Sequence, residues 1–150
     1  MYSYHNPNHY YEHYRQADDK LARDIEKAIN LKYNTINCYA QLTKQAPNNI
    51  TKVNINAIRD DDIKHYQQFL QIYKILTGKT LEAKIIQVCA KTFEEGVEGA
   101  FINEQVDSRF YLQISDGTTN QTVKNVFYRA YAEDQIHANW FLYYMIKYKK

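Results

Sequence analysis

Two stretches of the chain carry the same arrangement of ionisable side chains. "IRDDDIKHYQ" places Asp62 three residues before His65, and "YAEDQIHANW" places Asp134 three residues before His137. On a helix, an i, i+3 pair projects from one face, and a carboxylate beside an imidazole is a donor set for divalent first-row metals. Asp62 and Asp134 are 72 positions apart, and so are His65 and His137. Lys32 and Glu104 share that offset, each lying 30 residues before an acid, and Tyr39 and Tyr111 each lie 26 before a histidine. Phe69-Leu70 returns as Phe141-Leu142 and Gln41 as Gln113, so the repeat extends beyond the charged positions.

These residues need helices to hold them. Four Gly and two Pro interrupt 150 residues, and the breaks "KQAPNN" (44–49), "LTGKT" (76–80) and "SDGTTN" (115–120) read as helix ends. The segments between them, 18–45, 51–77, 81–115 and 119–148, carry a three-and-four apolar period and predict an all-α four-helix bundle. Gly96 and Gly99 sit inside the third segment, where a bend or a short extra helix before residue 96 is expected.

The apolar stripes are Ile25, Ile29, Lys32, Ile36, Tyr39; then Ile55, Ile58, Asp62, His65, Phe69, Ile72, Leu76; then Val97, Phe101, Glu104, Ser108, Tyr111; then Val123, Phe127, Ala130, Asp134, His137, Phe141, Tyr144, Tyr148. Each is broken near its middle by ionisable residues. Six such groups in one interior layer are tolerable only if paired or metal-bound. The competing reading makes "DDD" at 60–62 a solvated face and Glu133 the inward acid of the fourth helix; the equal spacings instead align Asp134 with Asp62 and leave Glu133 flanking.

The plan of one charged residue on each of two helices and an acid-x-x-His pair on each of the others is the ligand plan of ferritin-like di-metal carboxylate proteins. Over residues 20–148 the chain resembles the rubrerythrin branch of the ferritin-like superfamily, through "KYNTINCYAQLTKQAP", "IRDDDIKHYQQFLQIYKILTG", "GAFINEQVDSRFYLQISD" and "RAYAEDQIHANWFL". The resemblance implies two pseudo-repeated helix pairs joined by a crossover, and a non-haem di-iron or di-manganese centre reacting with oxygen or peroxide. It also implies a homodimer. The six ligand positions fall at Lys32, Asp62, His65, Glu104, Asp134 and His137, with Tyr39 and Tyr111 as candidate donors to them.

Three positions depart from the family. Asp62 and Asp134 are each a methylene shorter than Glu, between helices packed about 8–10 Å apart. Lys32 has replaced a ligand, because an ammonium has no lone pair to give a metal. Three carboxylates and one ammonium leave a charge of minus two, which balances one divalent ion or two imidazoliums and no metal. A surviving site would use Glu104, His137 and Asp134, with Asp62 completing it; with no metal, Lys32 would hold Asp62 or Glu104 in a buried ion pair.

Composition narrows the alternatives. Nineteen basic residues nearly balance seventeen acidic ones, and no basic block or ~20-residue apolar run exists, which argues against nucleic acid and membrane as partners. With no signal-peptide core, the chain reads as cytoplasmic, and Cys38 and Cys89, lacking paired spacing, read as reduced packing residues. Most of the fifteen tyrosines fall at helical spacing and read as packing. Residues 1–17 read as a mobile or loosely docked Tyr/His-rich tail, and 18–150 as the bundle. "HYYEH" (9–13) matches an H-x-x-E-H zinc pattern, but His5, His9 and His13 have no evident third ligand, and the biased composition accounts for the match.

Two functions remain. One is a metal-binding protein, with iron, manganese or zinc in a reduced or mononuclear site, in iron handling or oxidative defence; lacking C-x-x-C pairs, it would draw electrons from a donor protein. The other is a non-enzymatic bundle that keeps the fold for a structural or assembly role.

Overall fold

The computed structural model describes the backbone of residues 7–149 and the side chains of 18–149. The tail expected over 1–17, with its His5, His9 and His13, lies outside the described side chains. Four helices follow one another: α1 (Pro7–Gln45), α2 (Asn49–Thr77), α3 (Phe93–Gly117) and α4 (Gln121–Lys147).

Their ends lie where turn and capping residues place them. Asn48, Thr92 and Asn120 are N-caps whose side chains accept from the backbone N–H of Thr51, Glu95 and Val123, satisfying donors that a first turn leaves free. Gly78 closes α2 at φ 69°, a left-handed conformation that a Cβ disfavours, and its N–H donates to Lys74 O at 2.8 Å. Helix α1 packs on α2 and α3 on α4, and the pairs meet through α1–α3 and α2–α4, giving the expected four-helix bundle.

The connection between the pairs corrects one expectation. Residues 79–90 are not helical but form an extended strap along α1, and α3 begins only at Phe93. The strap's N–H groups at Lys84, Ile86 and Gln87 donate to the side-chain oxygens of Asn30 and Asn34, while Gln45 donates to Ala90 O and Lys91 O. From Asn30 to Gln45 a helix rises about 22 Å, a span that residues 84–91 match only when extended at about 3.3 Å each. A helix over 81–92 would be too short to carry the chain back. The apolar period misled because Ile85, Ile86 and Val88 point outward, 56 %, 78 % and 91 % exposed.

Cys38 and Cys89 are joined in a disulfide between α1 and the strap, so reading them as reduced was wrong. Their separation of 51 residues hid the pairing, which depends on the strap running along α1. Gly96 marks no bend. It lies in the first turns of α3, where a Cβ would come within 2.5 Å of Leu42 Cδ1.

Among the described residues, the interior holds two apolar clusters. One gathers Ile25, Ile29, Phe69, Tyr111, Val123 and Phe127; the other gathers Leu42, Ile55, Val97, Phe141 and Tyr144. The aromatic packing follows the repeat. Phe141 lies 5.1 Å from Tyr39, and the equivalent pair, Phe69 and Tyr111, is 5.3 Å apart. The ionisable residues of all four stripes are buried between these clusters.

Candidate metal centre

Helix α1 supplies Lys32 and Tyr39, α2 Asp61, Asp62 and His65, α3 Glu104 and Tyr111, and α4 Glu133, Asp134 and His137. Lys32, Asp62, His65, Glu104, Asp134 and His137 are all buried, each at most 3 % exposed. One carboxylate oxygen from each of Asp62, Glu104 and Asp134 and one nitrogen of His137 lie within 4.8 Å of one another.

Lys32 shares that space. Its Nζ donates to Asp62 Oδ1 at 2.5 Å and to Asp134 Oδ1 at 2.7 Å, and lies 5.3 Å from the Tyr111 ring centre. The long lysine arm brings positive charge to the two shortened acids. The expected pairing therefore holds for Asp62 but not for Glu104, which instead accepts from the Tyr39 hydroxyl at 2.6 Å.

The twofold repeat explains an otherwise odd vacancy in the hydrogen bonding. Tyr39 OH reaches Glu104, whereas Tyr111 OH, its equivalent, is buried without a partner. Position 32, equivalent to 104, holds a donor instead of an acceptor, so the Tyr111 hydroxyl has nothing to donate to there.

Both histidines are clasped from outside. His65 Nε2 lies 2.7 Å from Glu133 Oε2, and His137 Nε2 lies 3.5 Å from Asp61 Oδ2. Asp61 and Glu133 are equivalent under the 72-residue offset. A carboxylate accepting from Nε2–H selects the tautomer with a lone pair on Nδ1, an outer-shell arrangement typical of metal-binding histidines. The sequence reading placed Glu133 beside the site without a role and passed over Asp61; their equal offset was the available signal. The Nδ1 atoms of His65 and His137 are buried and unpartnered. His137 Nδ1 is 3.7 Å from Glu104 Oε2 and from Asp134 Oδ1, while His65 Nδ1 has only Asp62 Oδ1 at 3.9 Å.

Electrostatics reflect crowding. Burial opposes the Lys32 ammonium, but Asp134 and Asp62 outweigh it and raise its pKa well above the ordinary lysine value. Burial pushes Glu104 up to about 8, assisted by Asp62, and lifts Asp134 well above the carboxylate range, while Lys32 holds Asp62 low against the same burial. Asp107, which lies off the apolar stripe of α3, is raised to about 6 by burial and Asp62.

The donor set could hold a metal ion. Asp62 Oδ2, Glu104 Oε2, Asp134 Oδ2 and His137 Nδ1 are buried acceptors with no hydrogen-bond partner, which is costly unless something fills the role.

Fold and site together define an all-α four-helix bundle with a buried acid and histidine cluster able to hold a metal ion. The chain is 38 % identical over 134 residues to the uncharacterized protein YhjR of Bacillus subtilis (strain 168), covering 89 % of this chain and 92 % of that protein. It belongs to the YhjR family. No protein-family model matches it. Among the described residues, no helix is long and apolar enough to cross a membrane.

Proposed function

We propose that this is a rubrerythrin-related, ferritin-like protein that binds one iron per chain, with Lys32 taking the place of the second ion. The observation that carries the reading is the set of unpartnered buried acceptors on Asp62, Glu104, Asp134 and His137, supported by the carboxylates that clasp both histidines from outside. Glu104, Asp134 and His137 would hold the ion, with Asp62 shared between it and Lys32. Iron, when bound there, would supply one-electron exchange with oxygen or peroxide. The chain's own residues orient and neutralise: Tyr39 fixes Glu104, Asp61 and Glu133 fix the imidazoles, and Lys32 supplies the charge that a second ion would bring. Manganese or zinc could take the same donors. A homodimer and a separate electron-donor protein complete the proposal by resemblance, in a role in iron handling or oxidative defence.

A second reading follows from the two short Lys32 ion pairs: the ammonium has replaced both metals, and the bundle is purely structural. Metal analysis of untagged protein after anaerobic Fe(II) loading separates the two. One iron per wild-type chain and two per Lys32→Glu chain support the proposal, since glutamate would restore a ligand and give Tyr111 OH an acceptor. No iron in either protein refutes it and leaves the structural bundle.

A further inference from the structure

The Cys38–Cys89 disulfide does more than close a loop. It forms part of the wall of a cavity of about 290 Å³ bounded by α1, the strap and the start of α3. That is room for about ten water-sized groups at ~30 Å³ each. Gln45, Glu95 and Asn103 give the cavity a polar lining, and Gly99 and Ala100 keep its α3 side open. Both cysteines line the cavity and are only half-buried.

Hydrogen bonds hold the strap to α1 on both sides of the disulfide. On one side of Cys89, Asn30 and Asn34 accept from the N–H groups of residues 84, 86 and 87, and Asn34 donates to Lys84 O. On the other side, Gln45 holds Ala90 and Lys91. With both flanks tied, opening the bond leaves the two cysteines adjacent and ready to re-form it. The sulfurs also differ: the Asn37 amide donates toward Cys89 Sγ at 3.6 Å. A donor at that sulfur stabilises negative charge on it, and a stabilised thiolate is the better leaving group in exchange.

We propose that Cys38–Cys89 is a thiol–disulfide exchange site for low-molecular-weight thiols, with the cavity as their seat and Cys38 as the sulfur attacked. A thiolate RS⁻ forms an S–S bond to Cys38 Sγ, the Cys38–Cys89 bond breaks, and its electron pair leaves on Cys89, which takes a proton. A second RS⁻ attacks the sulfur of R in the mixed disulfide, releasing RSSR and the Cys38 thiolate, which is protonated. Two thiols are oxidised to one disulfide, and the protein disulfide is reduced to two thiols. None of this requires a metal in the bundle, so the proposal stands or falls apart from the iron reading.

Full-length protein equilibrated in cysteine/cystine mixtures, acid-quenched and read by mass spectrometry tests it, with circular dichroism of the reduced form alongside. Reversible reduction without denaturant, with helicity and melting cooperativity retained, is the expected result. Reduction only in denaturant, or loss of the helical signal on reduction, would show a structural staple and overturn the proposal. Acid quenching and digestion during reduction should find the transient mixed disulfide on Cys38; the added cysteine on Cys89 instead refutes the assignment of the attacked sulfur. Asn37→Ala, which leaves both cysteines in place, should slow reduction by cysteine severalfold, and an unchanged rate refutes the leaving-group argument.

Discussion

Replacing Lys32 with methionine removes the buried ammonium while keeping most of the side-chain volume. Two charge-assisted bonds, at 2.5 and 2.7 Å, disappear from a side chain 1 % exposed, leaving Asp62 and Asp134 facing each other with no counter-charge between them. Removing one partner of a buried ion pair costs about 3–5 kcal/mol. For a chain of this size, each kcal/mol moves the midpoint by roughly 2–4 °C, so metal-free Lys32→Met should melt about 6–20 °C below wild type. The loss should be partly reversible. If the freed carboxylates take up a divalent ion, free metal at 100 times its dissociation constant restores about 2.7 kcal/mol for each added ion. Urea denaturation of both proteins, metal-free and with anaerobic Fe(II) or with Mn(II), reads both effects. A metal-free loss below about 1 kcal/mol would show that Lys32 does not neutralise the layer. An equal metal increment in variant and wild type would show that it does not occupy a cation position.

The histidines should behave unequally: His137→Ala abolishes metal binding by calorimetry, whereas His65→Ala, whose Nδ1 lies outside the close quartet, retains it with lower affinity. Tyr39→Phe removes the 2.6 Å bond to Glu104; leaving that buried oxygen unsatisfied costs about 1–3 kcal/mol in urea denaturation, and metal affinity falls about 10–100-fold. In the metal-free protein the folded pKa values of Glu104, about 8, and Asp107, about 6, lie above their unfolded values of 4.5 and 3.8. The native state therefore binds more protons between pH 4 and 8, and these two groups make stability fall as pH rises through that window. Glu104→Gln should flatten the fall above pH 6; denaturation at several pH values checks it, and an unchanged slope assigns the protons elsewhere.

The helix assignments were largely legible in the chain because their causes are local. Caps at Asn48, Thr92 and Asn120, the left-handed Gly78 and the three-and-four apolar period depend on near neighbours. The interior layer was legible for a different reason. A repeat of 72 residues places equivalent side chains at equivalent heights, so Lys32, Asp62, Glu104 and Asp134 and the two histidines align from the sequence alone.

Tertiary structure decided what depends on distance through space. The strap over 79–90 reads as helix by period, yet the chain must return along the length of α1, and only an extended backbone covers that span. The Cys38–Cys89 bond exists because that path brings residue 89 beside residue 38. Within the layer, residue types could show that charge had to be balanced but not which atoms would balance it. That Lys32 bridges two aspartates, that Glu104 is left to Tyr39, and that Asp61 and Glu133 clasp the histidines follow from arm length and helix spacing across the bundle. Sequence determined most of the helices and most inward-facing residues, though Leu76 is exposed and Asp107 buried; packing of the four helices determined their partners, because hydrogen bonds and ion pairs form over a few ångströms between residues up to 102 positions apart.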